Sequence, residues 1–336
     1  MINLIIIGAT GLVGMEFCKL CEGIGRFGNV KYYFVASENS VGREFCFNSE
    51  IYVIQSLEDI FQMISIENKK SIFINCSTNS VAIEVSKFIK SLPNNNITLI
   101  DNSSQFRLYD DVPLIIPEIN FQRSETNIYS TPNCCCVILS FLLNIFIKKN
   151  LTINHVNVST YQCASGAGIT GYKELLTQCN EFVSNTKLTT TFWRRQYLFN
   201  CFVHNSDIVN SELYNEEEMK LILETQKIFR QFLKINPTCI RVPTLQSHCL
   251  SVNIEFEEEI LFNQIIDLIN EDDTLIYLTN VDSLISNKTN YVYVSHIRPD
   301  LFSENKSWNV FLSSDQILRG SASNSFSILN RLINEF

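Results

Sequence analysis

The sequence predicts an α/β protein of two domains, and three observations carry that reading. Apolar strand-like runs alternate with helical patterns through the N-terminal part, which implies a parallel sheet covered by helices. A glycine-rich turn, Gly8 to Gly14, joins the first of those strands to the first helix. Beyond an apolar helix that begins near Cys134, the pattern changes to long segments of alternating polarity, which implies a second, mixed domain. With 336 residues, 46% of them hydrophobic, the chain can fill both cores.

Taken in order, "INLIIIG" is the first strand and a helix starts at about Leu12. "VKYYFVA" and "SIFINC" follow as strands, then a helix around Val81 to Ile89 and the strand "ITLID". After the cysteine helix, "NHVNVSTYQ" (Asn154 to Gln162), "TCIRVPT" (Thr238 to Thr244) and "CLSVNIEFE" (Cys249 to Glu257) read as antiparallel strands. Glu216 to Leu233 reads as an amphipathic helix. Gln316 to Ile333 is again helical and is expected to return to the first domain. The domains are therefore expected at 1–129, completed by 316–336, and at 130–315.

Composition excludes several function classes. Met1 runs directly into "INLIIIG" without a basic region or cleavage site, so no signal peptide is expected. The longest apolar run, Cys136 to Ile147, is too short to span a bilayer and holds a serine and an asparagine, so it reads as a buried helix and no membrane segment is expected. Twelve cysteines scattered over so large a chain are expected to be free thiols in a reducing cytoplasm. Cys18 and Cys21 in "FCKLCEG" have a redox spacing, but they fall within a helix and no second pair completes a zinc site. Packing is their expected role, and no metal is expected. A net charge of -9 argues against nucleic acid, so an anionic ligand requires a local cluster of cations.

"GATGLVG" sets Gly8, Gly11 and Gly14 where a strand passes into a helix. Glycines there permit a tight turn, and the helix N-terminus offers free N–H groups to a pyrophosphate, so a dinucleotide is the expected ligand. The adenosine ribose is expected near "ASENSVGR" (Ala36 to Arg43). Glu38 suits the free 2'-hydroxyl of NAD, whereas Ser37, Ser40 and Arg43 suit the 2'-phosphate of NADP.

"STPNCCCVIL" (Ser130 to Leu139) carries the chemistry. Asn133 is a fitting N-cap, so Cys134 falls in the first helical turn, where the dipole stabilises a thiolate. Cys134 is the best nucleophile of the three; Cys135 and Cys136, further along, read as small packing residues. The first-turn N–H groups can also steady an oxyanion. Downstream, "RVPTLQSH" carries Arg241 and His248, "STYQCASGAG" carries Gln162, and "DNSSQFR" carries Arg107.

Together "GATGLVG", "DNSSQFR", "PNC", "STYQCASGAG", "EEMK", "RVPTLQSH", "SVNIEFE" and "LRGSASN" resemble, in order and over essentially the whole chain, the aspartate-β-semialdehyde dehydrogenase family in its bacterial form. The resemblance implies a Rossmann-like dinucleotide-binding domain and a mixed α/β catalytic and dimerisation domain. It implies the NADPH-dependent reductive dephosphorylation of β-aspartyl phosphate to aspartate semialdehyde and phosphate, on the route to lysine, methionine and threonine. Cys134 would be the nucleophile, His248 the acid/base and Gln162 the group that orients the acyl function. Arg107 and Lys220 would hold phosphate, Arg241 the substrate carboxylate and Glu217 its ammonium. Gly8, Thr10, Gly11, Leu12, Val13, Ser37, Asn39, Ser40, Ser165, Gly166 and Asn324 would bind NADP, or NAD. A homodimer or homotetramer is implied, with no nucleic-acid or membrane partner.

The chain departs from the family pattern at Asn39-Ser40, where an Arg-Ser pair is usual, at Ile169 and at Val203. Two other readings compete. N-acetyl-γ-glutamyl-phosphate reductase uses the same thioester logic, but its "GCY" type motif is not matched by "PNCCC", and its acylated substrate offers no ammonium to Glu217. A catalytically silent nucleotide-binding relative need not keep nucleophile, base and anion-binding groups together.

Overall fold

Runs such as Asn3–Ile7 are apolar at nearly every position because the first sheet is covered on both faces. The computed structural model describes residues 1–23, 30–67, 69–92 and 96–334, so the last two residues of the expected closing segment lie outside it. The chain forms two compact units, Met1–Pro132 with Ser321–Phe336, and Asn133–Gly320.

In the first unit, β1 (Ile2–Ile7), α1 (Leu12–Gly23), β2 (Val30–Val35), β3 (Glu44–Phe47), β4 (Glu50–Val53), α2 (Leu57–Glu67), β5 (Ser71–Asn75), α3 (Asn79–Ser91), β6 (Ile97–Asp101), α4 (Pro117–Asn120) and β7 (Ile128–Ser130) follow one another. The main sheet has the order β2-β1-β5-β6-β7 and every pairing in it is parallel. Side chains alternate across it: Leu4 and Ile6 join a core with Phe17 and Phe34, while Ile5 and Ile7 join another with Phe73 and Leu99. The strand order reverses beside β1, and the glycine turn leaves from that strand's carboxyl end, where doubly wound sheets bind ligands. The β3–β4 hairpin, which the sequence reading did not anticipate, turns at Asn48 and Ser49 with φ of 50° and 61°.

The second unit contains α5 (Cys134–Ile147), β8 (Ile153–Gln162), α6 (Gly168–Val183), β9 (Phe202–Val203), α7 (Glu216–Phe229), β10 (Ile235–Arg241), β11 (His248–Phe256), α8 (Phe262–Asn270), β12 (Leu275–Tyr277), α9 (Ser283–Ser286), β13 (Val292–Pro299) and β14 (Ser307–Ser314). Its mixed sheet runs β12-β13-β14-β11-β8-β10-β9. Helix α5 has no polar face because it is packed by the sheet on one side and by α7 and α8 on others. Among the described residues, no helix is long and apolar enough to cross a membrane. A final helix, α10 (Ser323–Asn334), returns to the first unit, where Ile328 and Leu329 enter the core of Leu4 and Ile6.

Four expectations are corrected. The strand containing Thr238 to Arg241 pairs with β8 in parallel, because the long connection through α6 and α7 makes a crossover possible. Helix α7 stops at Phe229, where Arg230 adopts φ 53° and ψ 35° and ends the ladder before Leu233. The first unit extends past Tyr129 to Pro132, held by β7 on β6 and by the Thr131 N–H donating to Asp101 O (2.9 Å). The return to it starts at Ser321 rather than at Gln316. Asp315 Oδ1 accepts from the N–H groups of Ile317 and Leu318 (2.9 Å each), and a π-helical turn, Leu318–Ala322, precedes α10.

Candidate active site

Strand register in the second unit brings three polar side chains to one end of the sheet. β8 and β10 run in parallel and pair Gln162 with Arg241, their last residues. β11 is antiparallel to β8 and pairs Cys249 with Tyr161, so its first residue, His248, starts beside the end of β8. All three side chains are buried.

Helix α5 delivers the thiol. Asn133 caps it, its side chain accepting from the N–H groups of Cys135 (2.9 Å) and Cys136 (3.4 Å). Those two donors are thereby occupied, which corrects the expectation that several first-turn N–H groups face a ligand; the N–H of Cys134 has no such engagement with the cap. Cys134 is half-buried, Cys135 and Cys136 wholly buried. The Sγ atoms of Cys134 and Cys135 and a ring nitrogen of His248 all lie within 4.8 Å of one another.

This arrangement favours the thiolate form of Cys134. The Cys135 thiol donates to it, and although burial opposes the charge, the positive field of His248 beside it helps hold its pKa well below the ordinary thiol value, against a lesser opposing push from Glu217. Cys135 moves the opposite way, held as a thiol by the Cys134 hydrogen bond and by burial. Cys135 is thus more than the packing residue expected. Cys136 fits that expectation better, its thiol meeting Lys220 O at 3.4 Å.

His248 is oriented from behind. The Cys163 N–H donates to Nδ1 (3.2 Å), and the Cys163 sulfur lies 3.3 Å from the same atom. A neutral ring accepts from the amide and a protonated ring donates to the sulfur, so Nδ1 is engaged in either state. Burial pushes the imidazole pKa down, but the Cys163 and Cys134 sulfurs outweigh it and raise it to about 10. Nε2 is buried without a partner among the described residues. Gly166 flanks the ring: a Cβ there would lie 2.9 Å from Cε1, 3.0 Å from Nε2 and 3.2 Å from Arg241 Nη1.

Helix α7 supplies the charges. Its capping box uses Asn215 and Glu218, freeing Glu217 to face α5. Glu217 Oε1 accepts from Asn133 Nδ2 (2.8 Å) and Gln162 Nε2 (3.2 Å), and Oε2 lies 3.5 Å from Lys220 Nζ. Burial would raise this carboxyl, yet His204, Lys220, the Asn133 hydrogen bond and Arg241 together hold it at about 2. Lys220 also pairs with Glu216 at 3.0 Å. Arg241 donates to Cys163 O (3.2 Å) and lies 5.4 Å from the Trp193 ring centroid. Sequence reasoning missed Cys163, Glu224, which accepts from the Asn133 N–H (2.6 Å), and Gln316, which donates to Ser165 Oγ (2.6 Å). Cys163 lies within "STYQCASGAG" but nothing local points to its contact with His248, and no quoted motif contains Glu224 or Gln316; only the fold brings them to the site.

The remaining expected residues lie in the first unit, except Ser165 and Gly166. Gly8 has φ +77°, and a Cβ there would lie 2.7 Å from Cys76 O; a Cβ on Gly14 would collide with Gly8 O. The turn is therefore held tight against β1, with Thr10, Gly11, Leu12 and Val13 at least partly exposed at the start of α1. Ser37, Asn39 and Ser40 stand after β2 around a 3-10 turn, Glu38–Ser40, with Glu38 and Arg43 exposed. Asn324 donates to Ile115 O (2.7 Å), and its buried Oδ1 has no partner among the described residues. An open amide turn at the carboxyl end of β1, with an orphaned amide oxygen in the same unit, fits a dinucleotide. Arg107 is buried in this unit and donates from Nη2 to Asn102 O (2.9 Å). Cys18 and Cys21 are buried in the core beside Phe17, as packing requires.

Residues 3–127 match the semialdehyde dehydrogenase NAD-binding domain family, and residues 143–319 match the semialdehyde dehydrogenase dimerisation domain family. The aspartate-semialdehyde dehydrogenase of Rickettsia bellii (strain RML369-C) is 35% identical, covering 99% of this chain and 98% of its own. That of Campylobacter jejuni is 31% identical over 97% and 96%. The crystal structure of aspartate semialdehyde dehydrogenase II from Vibrio cholerae, complexed with ASA, superposes with a TM-score of 0.88 at 27% identity over 99% and 98%. The Candida albicans enzyme with NADP shares the fold, with a TM-score of 0.71 at 17% identity over 99% of each chain. The chain belongs to the aspartate-semialdehyde dehydrogenase family.

Proposed function

We propose that this oxidoreductase converts β-aspartyl phosphate to aspartate β-semialdehyde through a thioester on Cys134, with NADP as its cofactor. The observation that carries the proposal is the Cys134 sulfur at the cap of α5, within 4.8 Å of a His248 ring nitrogen. The thiolate attacks the acyl carbon, the carbonyl electrons move to oxygen, and their return expels phosphate and leaves the thioester. A nicotinamide cofactor, held at the glycine turn of the first unit, would supply the hydride that the thioester carbonyl carbon accepts. His248 holds the exchangeable proton on Nε2 and stabilises the oxyanion, which collapses to release the aldehyde and restore the thiolate.

Arg241 suits the substrate carboxylate, since a guanidinium offers a planar pair of donors. Glu217, ionised and buried, suits the ammonium group, which sets the substrate apart from an N-acylated one. Gln162 Nε2 is committed to Glu217 and to Thr160 Oγ1, so Gln162 acts by fixing Glu217. Lys220 adds positive charge for phosphate. The hydroxyls of Ser37 and Ser40 and the Arg43 guanidinium favour the 2'-phosphate of NADP, against Glu38. The match to a dimerisation domain supports a homodimer, and a reducing cytoplasm suits the free cysteines.

The test is oxidation of aspartate semialdehyde with phosphate, followed at the nicotinamide absorbance with NADP and NAD in turn. Phosphate-dependent reduction, faster with NADP at equal concentration, is the expected result. No reduction with either cofactor would overturn the activity, and a preference for NAD would overturn the cofactor assignment alone.

A further inference from the structure

Cys135 is a thiol beside the proposed nucleophile to which the proposed reaction gives no covalent role. We propose that Cys134, Cys135 and His248 form a site for a soft cation of the Zn2+ and Cd2+ class, which blocks the enzyme reversibly. The three donor atoms lie within 4.8 Å of one another. Tetrahedral zinc holds sulfur at about 2.3 Å and nitrogen at about 2.0 Å, which sets its ligands roughly 3.5–3.8 Å apart, so small movements of the side-chain tips close the set.

A second feature points to a ligand independently. His248 Nε2 is wholly buried and has no partner among the described residues. The ring's other nitrogen is engaged by the Cys163 N–H at 3.2 Å, an outer bond that orients a ligating imidazole and leaves Nε2 as the donor. Gly166 keeps a side chain from the space over the ring, where a Cβ would lie 3.0 Å from Nε2. Two sulfurs and one imidazole select thiophilic metals over Mg2+ or Ca2+ and leave a fourth position for water.

Binding forms two metal–sulfur bonds and one metal–nitrogen bond and releases the Cys135 thiol proton to solvent. No electron is transferred. The metal takes the Cys134 lone pair and the Nε2 site together, so inhibition depends on the proposed function whereas binding does not.

The experiment uses the full chain in a Cys46→Ser/Cys201→Ser background, which removes the two exposed thiols. Cd2+ is titrated while the ultraviolet thiolate-to-cadmium charge-transfer absorption is followed, and Zn2+ inhibition is measured on the same preparations. Cys135→Ala and the closer-sized Cys135→Ser are each expected to weaken Cd2+ binding and Zn2+ inhibition by about tenfold or more, and His248→Gln to weaken Cd2+ binding by a similar factor, the scale seen when a metal site loses support. A chelator is expected to restore turnover. Unchanged Cd2+ affinity in both Cys135 variants would overturn the proposal. An enzyme inactive on aspartate semialdehyde would leave the absorbance result decisive on the metal and count only against the assigned activity.

Discussion

Cys134 and Cys135 are neighbours in sequence with opposite ionisation, and this follows from a shared hydrogen bond together with the imidazole beside Cys134. Cys134→Ala is expected to abolish turnover, whereas Cys135→Ala is expected to lower it by about ten- to a hundredfold, the scale of one hydrogen bond to a charged group. Steady-state rates of the two purified variants check this, and equal losses would contradict it. His248→Gln is expected to lower kcat by about two to four powers of ten, as for other positioned proton-transfer groups. Because the Cys134 pKa is lowered, its thiolate persists as pH falls below the ordinary thiol range. Its alkylation by iodoacetamide is therefore expected to change little between about pH 6.5 and about pH 8.5, where an ordinary thiol gains about fifty-fold. Cys134 was legible as a candidate nucleophile from its N-cap, and His248 as a candidate base through the family resemblance; the structure brings the two together. Cys163 and Glu224 were not legible, because each acts through one backbone N–H and a side chain far apart in sequence: the Cys163 N–H on His248, and the Asn133 N–H on Glu224.

Helix α5 serves the site from its first turn, and Asn133 ties that turn to α7 through Glu217 and Glu224. Asn133→Ala removes the cap and leaves a buried carboxylate short of a donor. A stability loss of about 1–2 kcal/mol is expected from the cap alone, to be read from denaturant unfolding, together with lower turnover. Gly166→Ala places a methyl against the imidazole and Arg241. It is expected to lower kcat/KM without a comparable loss of stability; unchanged kinetics would show that the ring has room to move. Helices α1, α3, α5, α7 and α10 and strands β1, β2, β5, β6, β8, β10 and β11 were legible from periodicity and caps, whereas α2, α6, α8, β13 and β14 were not read. The parallel pairing of β8 with β10 was not, since alternating polarity marks a half-buried strand whatever its direction. The end of α7 was missed because Arg230, rather than glycine, takes the left-handed position.

At the scale of the molecule, each unit carries its own part of the function. The first holds a glycine turn at the carboxyl end of a parallel sheet, and the second holds the thiol, imidazole and charges of the proposed chemistry. The division into two units was legible in the change from strand–helix alternation to long alternating strands, but its limits were not, because hydrogen bonds at Thr131 and Asp315 set them. The measurement that tests the central claim most directly mixes enzyme, aspartate semialdehyde and NADP without phosphate, then quenches the reaction. A burst of reduced cofactor equal to the number of sites is expected, with the acyl adduct on the Cys134 peptide and turnover resuming when phosphate is added. No burst before phosphate, or an adduct on another cysteine, would contradict it.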